Sequence, residues 1–267
     1  MRTQWIENTT PDIERALARG TVVVLPVGSV EQHGRHVPVG CDTLASNVIA
    51  RECAEAVTDN PPVLVLPPLW CGYSPHHMGF AGTVTLSSET FINVLCEVSQ
   101  SLLRQGVTHL VLLNGHGGNV SALDVAASRI GEEWHGRARV VAVTYWHLVS
   151  HRVADFRDSP AGGTGHAGEF ETSLMLAAHE DLVQMEQAVP HYPKMPSEYL
   201  SSDLFETARA KVYNDFRDLS PSGTLGDPTS ASKAKGEKIL TACKEEFCAF
   251  LKDFATWPLG AQTRSSS

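Results

Sequence analysis

The chain has 267 residues, a formal net charge of -9 and 42% apolar residues, enough for one large domain with a substantial core. No block of Lys or Arg stands out, which argues against a nucleic-acid partner, and no stretch approaches the ~20 continuous apolar residues of a membrane span. The first seven residues lack the apolar run of a secretory signal, and six scattered cysteines with no Cys-x-x-Cys pair fit a reducing cytoplasm.

Residues 11–20 read as a helix closed by Gly20. Residues 22–27 are an unbroken apolar run, the pattern of a strand buried on both faces. The loop after it, 28–43, places Glu31, His33 and Asp42 among glycines. A helix then runs to about Thr58, with Leu44, Val48, Ile49, Cys53 and Val57 on one face. Asp42 cannot freely serve both a metal and the helix amides, so Thr43 is the better cap. Residues 63–66 form a second buried strand, followed by a polar loop, 67–82, containing Tyr73, His76, His77 and Phe80. Residues 83–86 look extended, and Ser87 to Thr90 open a helix reaching Leu103. Residues 110–113 are a third strand. Asn114-Gly115-His116-Gly117-Gly118-Asn119 follows, where small residues let backbone pass close to a bound species.

A helix is expected over 119–134 and a fourth strand over 140–146. This alternation predicts an α/β fold, a single domain with a mostly parallel sheet sandwiched by helices. After an irregular loop, 147–165, a helix is expected over 166–179, so that His166 and Glu169 share a face in its first turn. Residues 180–222 carry several prolines and read as excursions with a short strand or hairpin. Residues 223–228 have turn chemistry, and a last helix starts at Thr229 or Ser230 and ends near Phe254. The tail, 262–267, is small, polar and expected to be disordered. No internal repeat or linker divides the domain, which spans 1–267.

Carboxylate, imidazole and carboxylate in a loop at a strand's C-terminal end suit a divalent transition metal such as zinc, manganese or iron. Open α/β sheets bind their ligands at those ends. The alternative is a polar turn with no chemistry. Three further places supply ligand-type residues: His76 and His77, then His116, then His166 and Glu169. Singly, each has a plain alternative. His116 fits a turn, Glu169 fits an exposed first helical turn, and His76 and His77 fit a pocket wall. Together they fall in one strand-end register, which coincidence explains poorly.

The blocks Val27 to Gly34, Asp42-Thr43, Asn114 to Asn119 and His166 to Ser173 resemble the signature blocks of the creatininase (creatinine amidohydrolase) family. Ser74 to Thr83 is similar to a further block, with Ala81 where proline is commoner, and Gly226-Asp227-Pro228 fits the closing segment. The resemblance spans roughly residues 20 to 240 and implies an α/β fold, two divalent metal ions per subunit, and a homohexamer. It implies that Glu31, Asp42 and His116 hold one metal. His33, the bridging Asp42 and a further carboxylate hold the other. Creatinine hydrolases place a tyrosine and a ligating glutamate after the block's histidine, whereas this chain has Gly117 and Gly118. Glu169 is the natural replacement. Gly162 stands where a tryptophan closes the creatinine pocket, so glycines at 117, 118, 162, 163 and 165 are expected to leave room for a larger substrate.

The chemistry expected of such a site is amide hydrolysis by a hydroxide bridging two metals, with the oxyanion stabilised at one of them. His166 is the expected acid and proton shuttle, made a readier donor by a helix N-terminus, with Glu169 one turn away. Tyr73, His76, His77, Gly117, Gly118 and Trp146 are expected to line the substrate pocket. Glu171 and His36 are assigned supporting roles. The expected partner is a small-molecule amide (a lactam, cyclic amide or formamide). Competing readings are peptide trimming in a cofactor-maturation pathway and a binding protein that keeps metal without turnover. Arg35 is the only basic residue inside the blocks, which ranks a phosphorylated substrate lower.

Overall fold

The computed structural model describes residues 2–57 and 60–260. In chain order the elements are α1 Thr10–Leu17, β1 Val22–Val27, α2 Cys41–Val57, β2 Val63–Val65, α3 Ser88–Leu103, β3 His109–Asn114, α4 Val120–Glu133, β4 Arg139–Thr144, α5 Tyr145–Leu148, α6 Glu169–Ala178, α7 Phe216–Leu219 and α8 Lys233–Phe254. Thr58 and the tail 262–267 lie outside the described residues.

The four strands form one parallel sheet in the order β2-β1-β3-β4, with Val22 opposite His109 and Val27 opposite Asn114. β1 and β3 are buried along their whole length because helices cover both faces. Val23, Leu25 and Val27 pack with Phe91 of α3 and Leu123 of α4, while Val22 and Val24 face Ile49 of α2 and Phe247 of α8. Pro26 is tolerated in this central strand for a local reason. Its carbonyl accepts from Leu69 on the β2 side, so its missing N–H falls past the end of the short β2. The chain leaves β1 toward β2 and leaves β3 toward β4. The seam between β1 and β3 is therefore the topological switch point, where crossovers diverge and leave a crevice beyond the strand ends.

Several boundaries depart from the sequence expectation. β4 ends at Thr144, which closes the ladder beside Asn114, and the chain turns into α5 so that Tyr145 and Trp146 are buried with Phe170. Residues 83–86 form no strand, only an isolated bridge from Val84 to Val30. The 180–222 region holds two 3-10 turns and α7, and its expected hairpin reduces to one bridge between His191 and Gly226. The last helix begins at Lys233, capped by the Ser232 hydroxyl, after a 3-10 turn at Pro228–Ser230.

The start of α6 matters most. Ala167 sits at φ +51° and Gly168 is extended, so the helix begins at Glu169 and His166 belongs to the loop before it.

Candidate metal centre

Two glycines set the site's floor. A Cβ on Gly28 would run into Thr43, and one on Gly115 into the Asp42 carbonyl. Their absence lets the N-terminus of α2 sit directly on the ends of β1 and β3, which brings Asp42 to the switch point. The Thr43 hydroxyl donates to the Ser29 carbonyl (2.9 Å) rather than capping the helix. The His116 loop is clamped by Asn114, whose Oδ1 accepts from His116 N (3.0 Å) and whose Nδ2 donates to His116 O (2.8 Å). Asn119 ties this loop to its neighbours, donating to Gly28 O and accepting from Tyr73 N, each at 2.9 Å.

Glu31, His33, Asp42 and His116 meet in this crevice and are all at most 4% exposed. His116 Nδ1 lies 3.1 Å from Glu31 Oε2 and 3.2 Å from Asp42 Oδ2. Its Nε2 faces Tyr73 O at 3.2 Å, so a hydrogen sits there and Nδ1 is the nitrogen that faces the carboxylates. His33 Nε2 lies 3.0 Å from Asp42 Oδ1 and 4.0 Å from Glu171 Oε2. His77 Nε2 is 3.1 Å from Glu31 Oε1, and Ser74 Oγ donates to Glu31 Oε2 at 2.6 Å.

The charges are strongly coupled. Burial penalises ionised Glu31, yet His116 and His77 hold its carboxyl well below the usual range. Burial also opposes charge on His116, but Glu31 and Asp42 push it up to about 10. Burial lifts Glu171 to about 7 against the pull of His33. It also drives His166 well below the usual imidazole range, with His33 and His77 adding to the effect.

Donor chemistry and geometry both fit a divalent cation. His33 Nε2 and Asp42 Oδ2 are buried without a hydrogen-bond partner, although opposite charge lies close to each. Buried polar atoms left in this way are costly without a ligand. Glu31, Asp42 and His116 offer ligand atoms all within 4.8 Å of one another, as do His33, Cys41 and Asp42. Glu31, His33 and His166 form a third such group, so Asp42, Glu31 and His33 each belong to two.

A cavity of about 720 Å³ opens from this floor. Tyr73, His76, His77, Gly117, Gly118 and Trp146 all line it, together with Glu31, Asp42, His116, His166 and Glu171. Of the glycines expected to make room, only Gly117 and Gly118 reach the lining. Gly162 sits at φ +85° outside it, donating to Asp203 Oδ2 at 2.7 Å, so its lack of a side chain does not open the pocket. Gly165 is closed in by the carbonyls of Ser202 and Leu225.

Glu169 does not belong to the cluster. Its carboxylate is taken by Lys235 Nζ and by the amides of Asp158 and Ser159, both at 2.9 Å. Because α6 begins at Glu169, residues 169 and 171 point to opposite sides of its first turn. Glu171 is the one facing His33, anchored by Ala167 N at 2.6 Å. Glu169 instead fastens α6 to α8. The substitution Glu169→Gln is therefore expected to cost about 2 kcal/mol, or about 4–8 °C in Tm at this chain length. Metal content should stay unchanged; calorimetry and metal analysis on one preparation check both halves.

Sequence reasoning also passes over Ser74, Gln32 and Phe216. The Phe216 ring lies 3.9 Å from that of His77 and 5.1 Å from that of His166, an apolar cover on the histidines. It stands in the 195–219 stretch, which crosses the cavity and is pinned by Asp203, itself held by Arg157, Gly162 and Thr164. No periodicity marks that stretch.

An open parallel sheet with an acid–histidine cluster at its switch point defines a metal-site enzyme of the α/β class. The family model of creatinine amidohydrolase matches residues 7–251, and the chain belongs to that creatininase family. A creatinine amidohydrolase from Pseudomonas putida is 33% identical over 251 residues, covering 89% of this chain and 91% of its own. A mycofactocin precursor peptide peptidase from Mycobacterium ulcerans (strain Agy99) is 28% identical over 246 residues, covering 90% and 88%. Among solved structures, a mutant creatininase of the Zn–Zn type has a TM-score of 0.81 at 29% identity, over 96% of this chain and 100% of that one.

Proposed function

We propose that this protein is a metal-dependent amidohydrolase that cleaves a non-peptide C–N bond in a lactam, cyclic amide or formamide. The observation that carries the reading is the convergence of Glu31, Asp42 and His116 at the β1/β3 seam, with His33 Nε2 and Asp42 Oδ2 left buried and unpartnered. Glu31, Asp42 and His116 would hold one divalent ion, and His33, Asp42 and Glu171 a second. Glu171 takes the place first given to Glu169. Zinc is favoured by the Zn–Zn relative, with manganese and iron as alternatives. Such an ion pair, when bound, supplies an activated water and polarises the scissile carbonyl.

The chain's own groups do the rest. His166 Nε2 donates to Gln32 O at 2.6 Å, which leaves Nδ1 bare and facing Glu31 Oε1 at 3.7 Å. Burial keeps that nitrogen unprotonated, so His166 is placed to take a proton from the attacking water and pass it to the leaving nitrogen. Phe216 covers the rings of His77 and His166 against bulk water. The roomy cavity and the peptidase relative favour peptide trimming as the second reading. The reading is completed by a single domain over 1–267, a homohexamer by resemblance to the family and a cytoplasmic location that suits its free cysteines; light scattering tests the assembly. Among the described residues no helix is long and apolar enough to cross a membrane.

Chelator-stripped protein reloaded with zinc, manganese or iron, then assayed on an amide panel and on short peptides, tests the function. Zinc should restore hydrolysis of the amides. Cleavage of peptides alone would favour the second reading, and turnover by neither preparation would leave a metal-retaining binder. Loading should also release protons, because His116 carries one at neutral pH in the metal-free chain. Affinity should therefore rise with pH, roughly tenfold per unit for each proton displaced. Zinc titration calorimetry in buffers of different ionisation enthalpy reads both effects, and a pH-independent affinity would contradict them.

A further inference from the structure

The Gln32 amide is hydrogen-bonded at both ends. Its Oε1 accepts from Gly34 N at 2.9 Å, which fixes which end of the amide is oxygen. Its Nε2 then has two hydrogens and three groups in reach: His77 Nδ1 at 2.9 Å, His166 Nε2 at 3.1 Å and Gly223 O at 3.2 Å. His166 Nε2 gives its own hydrogen to Gln32 O at 2.6 Å, so the acceptors that remain are His77 Nδ1 and Gly223 O. The side chain is held there by the turn behind it. Gly223 is at φ +87°, and a Cβ at that position would collide with the Gln32 amide. Gln32 is 4% exposed and His77 1%.

A donor at His77 Nδ1 leaves one neutral form for that ring, with its hydrogen on Nε2. That hydrogen points at Glu31 Oε1, 3.1 Å away. The main chain of the same residue settles a second ring, because Gln32 O takes the Nε2 hydrogen of His166. We propose that Gln32 is a positioning residue of the centre: its side chain fixes the tautomer of His77, which aims the Glu31 carboxylate, while its carbonyl fixes that of His166. The inference rests on the amidohydrolase reading for its catalytic consequence, but its structural half does not. Partners of this kind, one step removed from the reacting groups, are worth about 10–100-fold in affinity or activity.

Long-range 1H–15N correlation spectra of protein labelled with 15N-histidine test the first half without any substrate, with the His77 signal assigned by its loss in a His77→Gln variant. The expected pattern is a hydrogen on Nε2 and a bare Nδ1; a hydrogen on Nδ1 would overturn the proposal. Gln32→Met, of similar length but unable to donate, tests the second half. It should lower kcat about 10–100-fold with KM within about threefold. Its loss should not add to that of His77→Gln in the double variant. Fully additive losses would mean that Gln32 only braces the Gly223 turn, and would also overturn it. If no amide or peptide is turned over, the spectra still decide the tautomer, and the fault then lies with the proposed reaction.

Discussion

Changing Asp42 to asparagine should empty both metal positions and bring turnover to background. Asp42 is the side chain that the Glu31–His116 group shares with the His33–Cys41 group, with oxygens 3.0 Å from His33 Nε2 and 3.2 Å from His116 Nδ1. An amide keeps the shape but withdraws the negative charge that offsets two cations. It also turns an NH2 toward a nitrogen lone pair or a metal at one of its two ends. The fold should survive, because Asp42 lies at the first turn of α2 and the helix is seated by Gly28 and Gly115 rather than by this carboxylate. Metal analysis of the dialysed D42N protein beside the unmodified chain measures the effect. Equal metal in both would refute the shared-ligand assignment.

His166→Asn should instead leave metal content intact and lower kcat by about 10²–10⁴-fold, the range for loss of a positioned proton-transfer group. The geometry separates the two outcomes. Nδ1 of His166 is 3.7 Å from Glu31 Oε1, too far for a hydrogen bond, and Nε2 is already committed to Gln32 O, so Nδ1 is the nitrogen left for proton transfer. Binding of substrate should change little, since the cavity wall beside His166 is also formed by Phe216 and His77. A loss under about tenfold would reduce His166 to a wall residue.

The parts of the fold that were legible from sequence are those in which one constraint dominates. β1 and β3 are covered on both faces, so their apolar runs cannot be mistaken. The Glu31, Asp42 and His116 blocks follow those strands directly, and the switch-point argument places them together. The His166 block was misread for a specific reason. His-Ala-Gly-Glu has the composition of a helix start, and only the left-handed Ala167 and extended Gly168 delay the helix to Glu169. That delay of three residues exchanges Glu169 for Glu171. Gln32 was overlooked because a neutral residue between two ligands carries no chemistry of its own. The 195–219 stretch has no helical or alternating pattern, since it is pinned at Asp203 and by Arg217, which donates to Gly79 O at 2.6 Å.

The seam between β1 and β3 is supplied by the segments that leave those two strands, whereas the cavity's outer rim comes from segments joined to the sheet at other points. Reactivity and recognition are thus carried by different stretches of polypeptide. Descendants of one ancestor could exchange rims and acquire new substrates while the cation-binding floor stayed the same. That modularity is consistent with a creatinine amidohydrolase and a mycofactocin precursor peptide peptidase both standing among this chain's relatives.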